Sequence, residues 1–546
     1  MKFRNMPQRI ADRLKQTNRR LHDNSQIARK ASSIAAHFPE PRDVHPVIFF
    51  KASTGVADFT YNNAFHILAA WGLRLQGVPV IHFICKRGMS LCVMGTYREK
   101  PTVPPPCSVC IAHSKAMFKG ANTDWFGYQA DSGLSNRLAN LSVPELMAFE
   151  YAHTIGDIVS PIPLGALVTP GLRWILRRHN LPDDHSTRYL YRQYIQSAWN
   201  VAREFNTLVA DKDPMAVVVF NGQFFPEATA AWIARQHKVR VVTHEVGLQP
   251  FSGFFTDGEA TAYPIHIPDE FELNPEQNTR LDTYLEKRFQ GQFSMAGVRF
   301  WLEMKGLDST FLEKAAQYKH LVSVFTNVIF DTSQPHANTV FPDMFTWLET
   351  VVDLARVHTE TLFVIRAHPD ENRPGKESQE TVEEWVATHP AGNLTNIVFI
   401  APTEQISSYE LIRMSKFVMI YNSTIGLEAT ILGVPVLCAG KARFTQYPTV
   451  FFPPSIKEFH EQAEAFLNAD RIEVPLDFQR NARLFLYYQL YRTSLPFDSF
   501  ITAGVHPSLT RFKKFTWQQL LPQNSVTIAT ILDGLLQNGD FLLKEV

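Results

Sequence analysis

Three short stretches end apolar runs on residues suited to holding anions and sugars. In "FVIRAHPDE" the run stops on His368, Pro369, Asp370 and Glu371. A turn uses the proline but has no need of the histidine, or of an acid two residues further on. His368 can donate to a phosphate or a sugar hydroxyl, and Asp370 or Glu371 can accept. In "YNSTIGLEATILGVPVL" a strand ends at Tyr421, and Asn422, Ser423 and Thr424 make the turn. A helix opens at about Ile425, Gly433 stops it, and Pro435 begins the next strand. The hydroxyls of Ser423 and Thr424 then sit where free backbone N–H groups and the positive end of a helix attract an anion. Gly426 lets the backbone come close to a ligand, and Glu428 is placed to accept from the two hydroxyls of a ribose. The same residues also suit a capped core helix with a favourable first-turn glutamate. The third stretch, "VFTNVIFD", sets Thr326 and Asn327 at another strand end.

These positions make chemical sense only if a parallel sheet brings the strand ends together. From about residue 320, apolar strands alternate with helical patterns: "HLVSVF", then a helix with Met344, Trp347, Leu348, Val351 and Ala355 on one face, then "LFVIR", "NIVFIAP", "FVMIY" and "VPVLCAG". A capping box from Ser407 to Glu410 opens one short helix. In such an open sheet the ligand crevice lies beyond the strand carboxyl ends, so all three stretches point at one place. An earlier series, "VIFF", a helix over Tyr61–Gln76, "VPVIHFIC", "AVVVF" and "VRVVTHE" (239–245), predicts a second sheet of the same kind, followed by a long loop with few strand or helix signals. The 546 residues are too many for one ordinary domain. The expected fold class is α/β, with two Rossmann-like, doubly wound parallel-sheet lobes and added helices at both termini. The expected divisions are a basic helical segment 1–40, a first lobe 41–310 carrying a helical insertion, a second lobe 311–480, and an aromatic helical tail 481–546 that can cross back onto the first lobe.

"HPDE" followed by "NSTIGLEATILGVPVL" resembles the capsular and surface polysaccharide biosynthesis glycosyltransferases of the GT-B fold, which carry an HP-x-E motif and an S-S/T-x-G-x-E motif in their C-terminal lobe. The resemblance covers roughly residues 320–450. It implies a nucleotide-sugar donor whose phosphate meets His368, Ser423 and Thr424 and whose ribose meets Glu428, with Glu371 closing the first motif. It also implies a polysaccharide or lipid-linked glycan as acceptor. The first lobe matches only in its β-α-β character, so the base is not carried over. Asp58, Asp257 and Glu259 are candidates, and His244 and Glu245, at a strand end beside the long loop, are preferred; each also suits a loop cap or a paired surface charge. A nucleotide-sugar epimerase of the same two-lobed fold is the alternative function.

Cys85, Cys92, Cys107 and Cys110 lie in one window that ends in "PPPCSVC", a spacing that suits a structural tetrahedral Zn2+ site or simply four ordinary thiols. No cofactor is expected for catalysis. A metal-dependent GT-A enzyme has a D-x-D just after a strand, whereas "DKD" (211–213) precedes one, so metal-independent transfer is expected. Phosphate-loop, H-E-x-x-H and G-x-S-x-G motifs are absent, which sets aside kinases, zincins and serine hydrolases. Lys+Arg and Asp+Glu are equal at 53 each, so the whole-chain charge offers nothing to nucleic acid. Residues 1–40 are the exception, with nine Lys/Arg against three acids. That segment reads as a solvated surface helix or as a peripheral contact with an anionic membrane face or polymer. With no apolar run of spanning length and no signal-peptide pattern, the expected location is cytoplasmic, or peripheral at the inner face of a membrane.

Overall fold

The structure, a computed structural model, describes residues 6–52, 55–152, 156, 160–291, 305–506 and 508–544. The chain divides into two compact units, one of residues 1–175, 182–261 and 492–546, the other of 176–181 and 262–491.

The first unit holds a seven-stranded sheet built from β1 (Val47–Phe50), β2 (Val80–Cys85), β3 (Thr123–Phe126), β4 (Ala216–Phe220), β5 (Arg240–Val246), β6 (Ser252–Thr256) and a late strand, Leu495–Pro496. β1 lies at the centre, parallel to β2 on one side and β4 on the other, with Val47 opposite both Val80 and Ala216. Every residue of β1 is buried, as expected of a strand covered on both faces. At the edge the structure departs from the sequence expectation in one place and agrees with it in another. The stretch after β5, read as a structureless loop, contains β6, which pairs antiparallel with β5. "SGFFT" is buried throughout, and Gly247 N–H closes the hairpin on Ser252 O at 2.8 Å. Leu495–Pro496 then pairs antiparallel with β6, so the tail does supply the edge of this sheet.

The second unit holds five parallel strands: β7 (His320–Phe325), β8 (Thr361–Arg366), β9 (Ile397–Ile400), β10 (Phe417–Ile420) and β11 (Val436–Cys438), in the spatial order β11-β10-β7-β8-β9. The helix Met344–Val357 opens on Asp343, whose carboxylate accepts from the Phe345 and Thr346 amides, and its predicted apolar face is wholly buried. Ser407 caps its helix, but Glu410 does not complete the box; it accepts instead from Leu307 N–H at 2.9 Å, tying the segment before β7 to the sheet.

The unit boundaries fall at 261/262 and 491/492, not at the 310 and 480 read from the sequence. The cause is packing. Helix Pro275–Phe289 lies against helix Leu476–Tyr487, with Arg483 donating to Asn278 Oδ1 at 2.8 Å and Arg288 reaching Glu428. Among the described residues no helix is long and apolar enough to cross a membrane.

Candidate functional site

In the second unit the chain winds from β7 outward through β8 and β9, then returns to the other side of β7 as β10 and β11. The reversal leaves a switch point between β7 and β10, where open sheets of this class take ligands at the carboxyl ends. Asn327 follows β7 and Asn422 follows β10, and the two meet: Asn422 N–H donates to Asn327 Oδ1 at 3.2 Å, and Gln334 donates to Asn422 Oδ1 at 3.4 Å. Ser423 and Thr424 come next. Thr424 holds the N-cap of the helix Ile425–Ile431 without bonding its amides, and neither hydroxyl has a hydrogen-bond partner among the described residues. These are the polar groups the switch point leaves uncommitted.

Other residues of the three stretches are already engaged. The Thr326 hydroxyl donates to Arg366 O at 3.1 Å and its amide to the same oxygen at 3.2 Å, locking β7 to β8 instead of facing a ligand. Gly426 is glycine because of its own strand: a Cβ there would stand 2.3 Å from Ile420 Cδ1 and 3.3 Å from Val436 Cγ1, so the helix, and not a ligand, makes the close approach. Glu428 is 3% exposed with both oxygens occupied, Oε1 by Arg288 Nε at 2.8 Å and Nη2 at 2.6 Å, Oε2 by the Tyr409 hydroxyl at 2.5 Å. The ribose role read from the sequence therefore gives way to a buried ion pair. Its partner Arg288 lies 140 positions upstream and carried no sequence signal of its own.

His368 is half-buried at the end of β8, and its Nδ1 accepts from Asp370 N–H at 3.1 Å, capping the turn Pro369–Asn372. Burial lowers its pKa, with Arg366 adding to the effect and Asp370 and Asp331 opposing it. The ring is thus neutral at pH 7 with the proton on Nε2, a donor and not a general base. Glu371 is fully buried. Its Oε1 accepts from Val382 N–H at 3.4 Å, its Oε2 has no partner among the described residues, and burial pushes its pKa up to about 8. It braces the helix Val382–Thr388 from below and offers nothing to an open crevice. Arg366 is 3% exposed, gives Nη2 to Glu404 O at 3.2 Å, and keeps Nη1 buried without a partner among the described residues. Burial lowers its pKa to about 10, so it remains a cation that lacks a full set of acceptors.

The first sheet has a switch point too. Its chain winds β1, β2, β3 to one side and β4, β5, β6 to the other, so the reversal lies between β1 and β4. Lys51 directly follows β1. Asn221 follows β4 in the left-handed region at φ 59°, beside Gly222 at φ 80°, so the backbone turns sharply there. Asn221 Nδ2 donates to Glu245 Oε2 at 2.8 Å, and Asn62 Nδ2 to Glu245 Oε1 at 3.4 Å. Glu227 sits in the first turn of the helix Phe225–Gln236. Lys51 and Glu227 are 4% and 5% exposed; the Lys51 ammonium lies 4.9 Å from the Phe220 ring centroid, and the Glu227 carboxylate accepts from its own backbone N–H. Burial lowers the Lys51 pKa against the pull of Glu227 and Glu245; burial raises Glu227 to about 7 against the pull of Lys51. Sequence reasoning missed both. The available signal was a lysine ending the apolar run "VIFFK" and an acid in the helix that follows "NGQFF".

His244, preferred as a base, is corrected. It is fully buried, its Nε2 lies 3.2 Å from His66 Nδ1, and burial followed by Lys51 holds its pKa at about 3. A ring so placed cannot reach an acceptor. Glu245 does stand at the switch point. Asp58 is taken by Arg19 and Arg20 at 3.8 and 3.9 Å, Asp257 by Arg240, and Glu259 by Gln223 at 3.2 Å. Cys85, Cys92, Cys107 and Cys110 line one small cleft with Pro105 and Pro106. Burial pushes the Cys85 thiol up to about 12 and raises Cys92 and Cys107 as well. Among the described residues no three His, Cys, Asp or Glu side chains stand close enough to hold a metal ion.

Residues 295–447 match the family model of the capsule polysaccharide biosynthesis proteins. That span contains the strand-end residues of all three stretches and Glu428, but not its partner Arg288. No curated protein matches the chain in sequence. Among solved structures, the chain is similar to the beta Kdo 2,4 transferase of Thermosulfurimonas dismutans KpsC, with 12% identity over 52% of this chain and 80% of that one and a TM-score of 0.35. The beta Kdo 2,7 transferase of the same protein gives 16% identity over 52% and 79%, with a TM-score of 0.31. A putative UDP-N-acetylglucosamine 2-epimerase from Listeria monocytogenes gives 12% identity over 82% and 95%, with a TM-score of 0.25.

Proposed function

We propose that this protein is a glycosyltransferase that moves a sugar from a nucleotide-sugar donor to a surface polysaccharide or lipid-linked glycan. One observation carries the reading: the segment that matches the capsule polysaccharide family contains the β7/β10 switch point, and the hydroxyls of Ser423 and Thr424 are uncommitted there. Sugar transfer requires that the departing phosphate be met by donors already in place. Ser423, Thr424 and the Nε2–H of His368 are neutral donors, and Arg366 supplies a cation short of acceptors. The acceptor hydroxyl must lose its proton to a base of pKa near the working pH. In the first unit Glu227, raised by burial to about 7 against the opposing pull of Lys51, meets that requirement. We take the transfer to be metal-independent: Asp211–Lys212–Asp213 closes the helix His185–Lys212 and does not follow a strand, so it lacks the setting of a metal-binding D-x-D.

A thermal-shift screen against CMP, UDP, GDP and dTDP tests the donor site, since a ligand bound only by the folded state raises the melting temperature. One of the four is expected to stabilise the protein, and its sugar conjugate to be consumed only when a glycan acceptor is present. Epimer formed from the donor alone would replace this reading with the epimerase; no shift with any of the four would remove the donor site.

A further inference from the structure

A groove of about 600 Å3 runs through the first unit between the long helix Met6–Ala35, the segment before helix Tyr61–Leu75, and the hairpin of Ile501–Ala503 with Thr510–Phe512. None of the strand-end residues described above lines it. On the long helix, positions 19, 22, 23, 26, 27, 29, 30 and 33 line the groove, a broad face of one helix.

The charge along it is one-sided. Arg19, Arg29, Lys30, Arg511, Lys513 and Lys514 line it against two carboxylates, Asp23 and Asp58. Part of this charge is committed. Arg19 lies 3.8 Å from Asp58, and Lys30 donates to Phe515 O at 2.8 Å with its ammonium 4.0 Å above the Phe515 ring. Arg29, Arg511, Lys513 and Lys514 are exposed, and none has an ion-pair partner among the described residues. Four like charges on two separate elements repel one another across the same groove, which an anionic ligand would relieve. The floor is apolar: Ile27 and Phe59 are 5% and 7% exposed, and the Phe59 and Phe512 rings lie 4.7 Å apart. A concave site of this volume accepts a chain or small ligand in its interior, whereas a bilayer face needs a flat or protruding surface.

We propose that this groove binds a segment of anionic glycan, a run of sugars bearing carboxylates or phosphates whose rings lie on the apolar floor and whose charges meet Arg29, Arg511, Lys513 and Lys514. The proposal rests on the glycosyltransferase reading in one respect, that the polymer is the enzyme's acceptor or product; the binding itself stands on the groove.

The test is a fluorescence-anisotropy titration of the full chain with a labelled oligogalacturonate hexamer, repeated with a poly(glycerol phosphate) oligomer to separate carboxylate from phosphate recognition. Maltohexaose is the neutral competitor and a single-stranded deoxythymidine oligomer the rival polyanion. At least one of the two anionic chains is expected to bind, to weaken as salt rises, and to resist maltohexaose. The Arg511→Ala/Lys513→Ala/Lys514→Ala variant is expected to bind roughly tenfold more weakly at an unchanged melting temperature. Should that variant fail to fold, Arg29→Glu on the opposite wall gives the same readout. Equal affinity in the variants, or tighter binding of the deoxythymidine oligomer than of either anionic chain, would overturn the proposal. If a nucleotide raises the melting temperature but no anionic chain binds, the groove is wrong and the donor site stands; if a chain binds and no nucleotide does, the reverse holds.

Discussion

The two sheets reverse their winding in the same way and arm the reversal point differently. Between β7 and β10 the polar groups are mostly tied to one another: Asn327 to Asn422, Thr326 to Arg366, Glu428 to Arg288 and Tyr409. What the β7 and β10 strand ends leave for a ligand is neutral, the hydroxyls of Ser423 and Thr424, with His368 and Arg366 contributed from β8. Between β1 and β4 the opposite holds, since Lys51 and Glu227 are buried ionisable groups that pull on one another's charge. Burying ionisable groups is costly even when they attract one another, a cost that persists where the charge has chemistry to do. A framework of fixed neutral donors is fit to hold a phosphate, and a buried acid of raised pKa that feels a lysine's charge is fit to move a proton.

The contrast breaks most visibly at Glu227. If it is the base, Glu227→Gln removes roughly two to four orders of magnitude from kcat. The sign of the pH dependence follows from its pKa of about 7: the active form is the carboxylate, so the wild-type rate falls as pH drops through that value. Lys51 lowers the Glu227 pKa, so Lys51→Met is expected to move the acid limb to higher pH. A pH–rate profile that is flat from weakly acidic to weakly alkaline conditions would show that the first switch point does no proton chemistry.

The next effect concerns stability in the second unit. Glu428→Ala leaves the Arg288 guanidinium buried beside Tyr284 without its carboxylate, a change that typically costs about 3–5 kcal/mol. Denaturant unfolding should show that loss. If Glu428→Ala instead unfolds at the wild-type midpoint while nucleotide affinity collapses, the ribose role expected from the motif is restored and the ion pair is incidental.

How far these roles could be read in advance depended on the range of the signal. The strand ends at Asn327 and Asn422 were legible because strand, polar turn and helix follow one another within a few residues. The apolar face of Met344–Val357 was legible for the same reason, its period being local. The partner of Glu428 was not, because Arg288 lies far upstream in a helix that packing assigns to the second unit and the motif does not include. His244 was misread because a histidine near a strand end looks exposed until the neighbouring elements cover it, here with His66 and a Phe255 ring stacked at 5.2 Å. Lys51 and Glu227 were passed over because burial, which perturbs them, is a tertiary property. Gly426 was seen as a close approach, correctly, but the approaching group is Ile420 of its own sheet.

The smallest expected effect sharpens the comparison by separating framework from ligand contacts at the second switch point. Thr326 stands at a strand end in the same stretch as Asn327, and the sequence gives both the same standing. In the structure the Thr326 hydroxyl donates to Arg366 O at 3.1 Å and is 2% exposed as a residue, so it joins β7 to β8 and faces no solvent. Thr326→Val keeps the shape and the backbone bond and deletes one buried hydrogen bond, a loss of about 1 kcal/mol. The carbonyl keeps the Thr326 amide as a donor, which holds the cost at that level. The melting temperature should fall by a few degrees, about 2–4 °C for a chain of this size or less, while nucleotide affinity stays within about twofold, well below one tenfold step of 1.4 kcal/mol. An affinity loss of tenfold or more at wild-type stability would move Thr326 from the framework to the ligand, where it would join Ser423, Thr424 and His368 among the neutral donors.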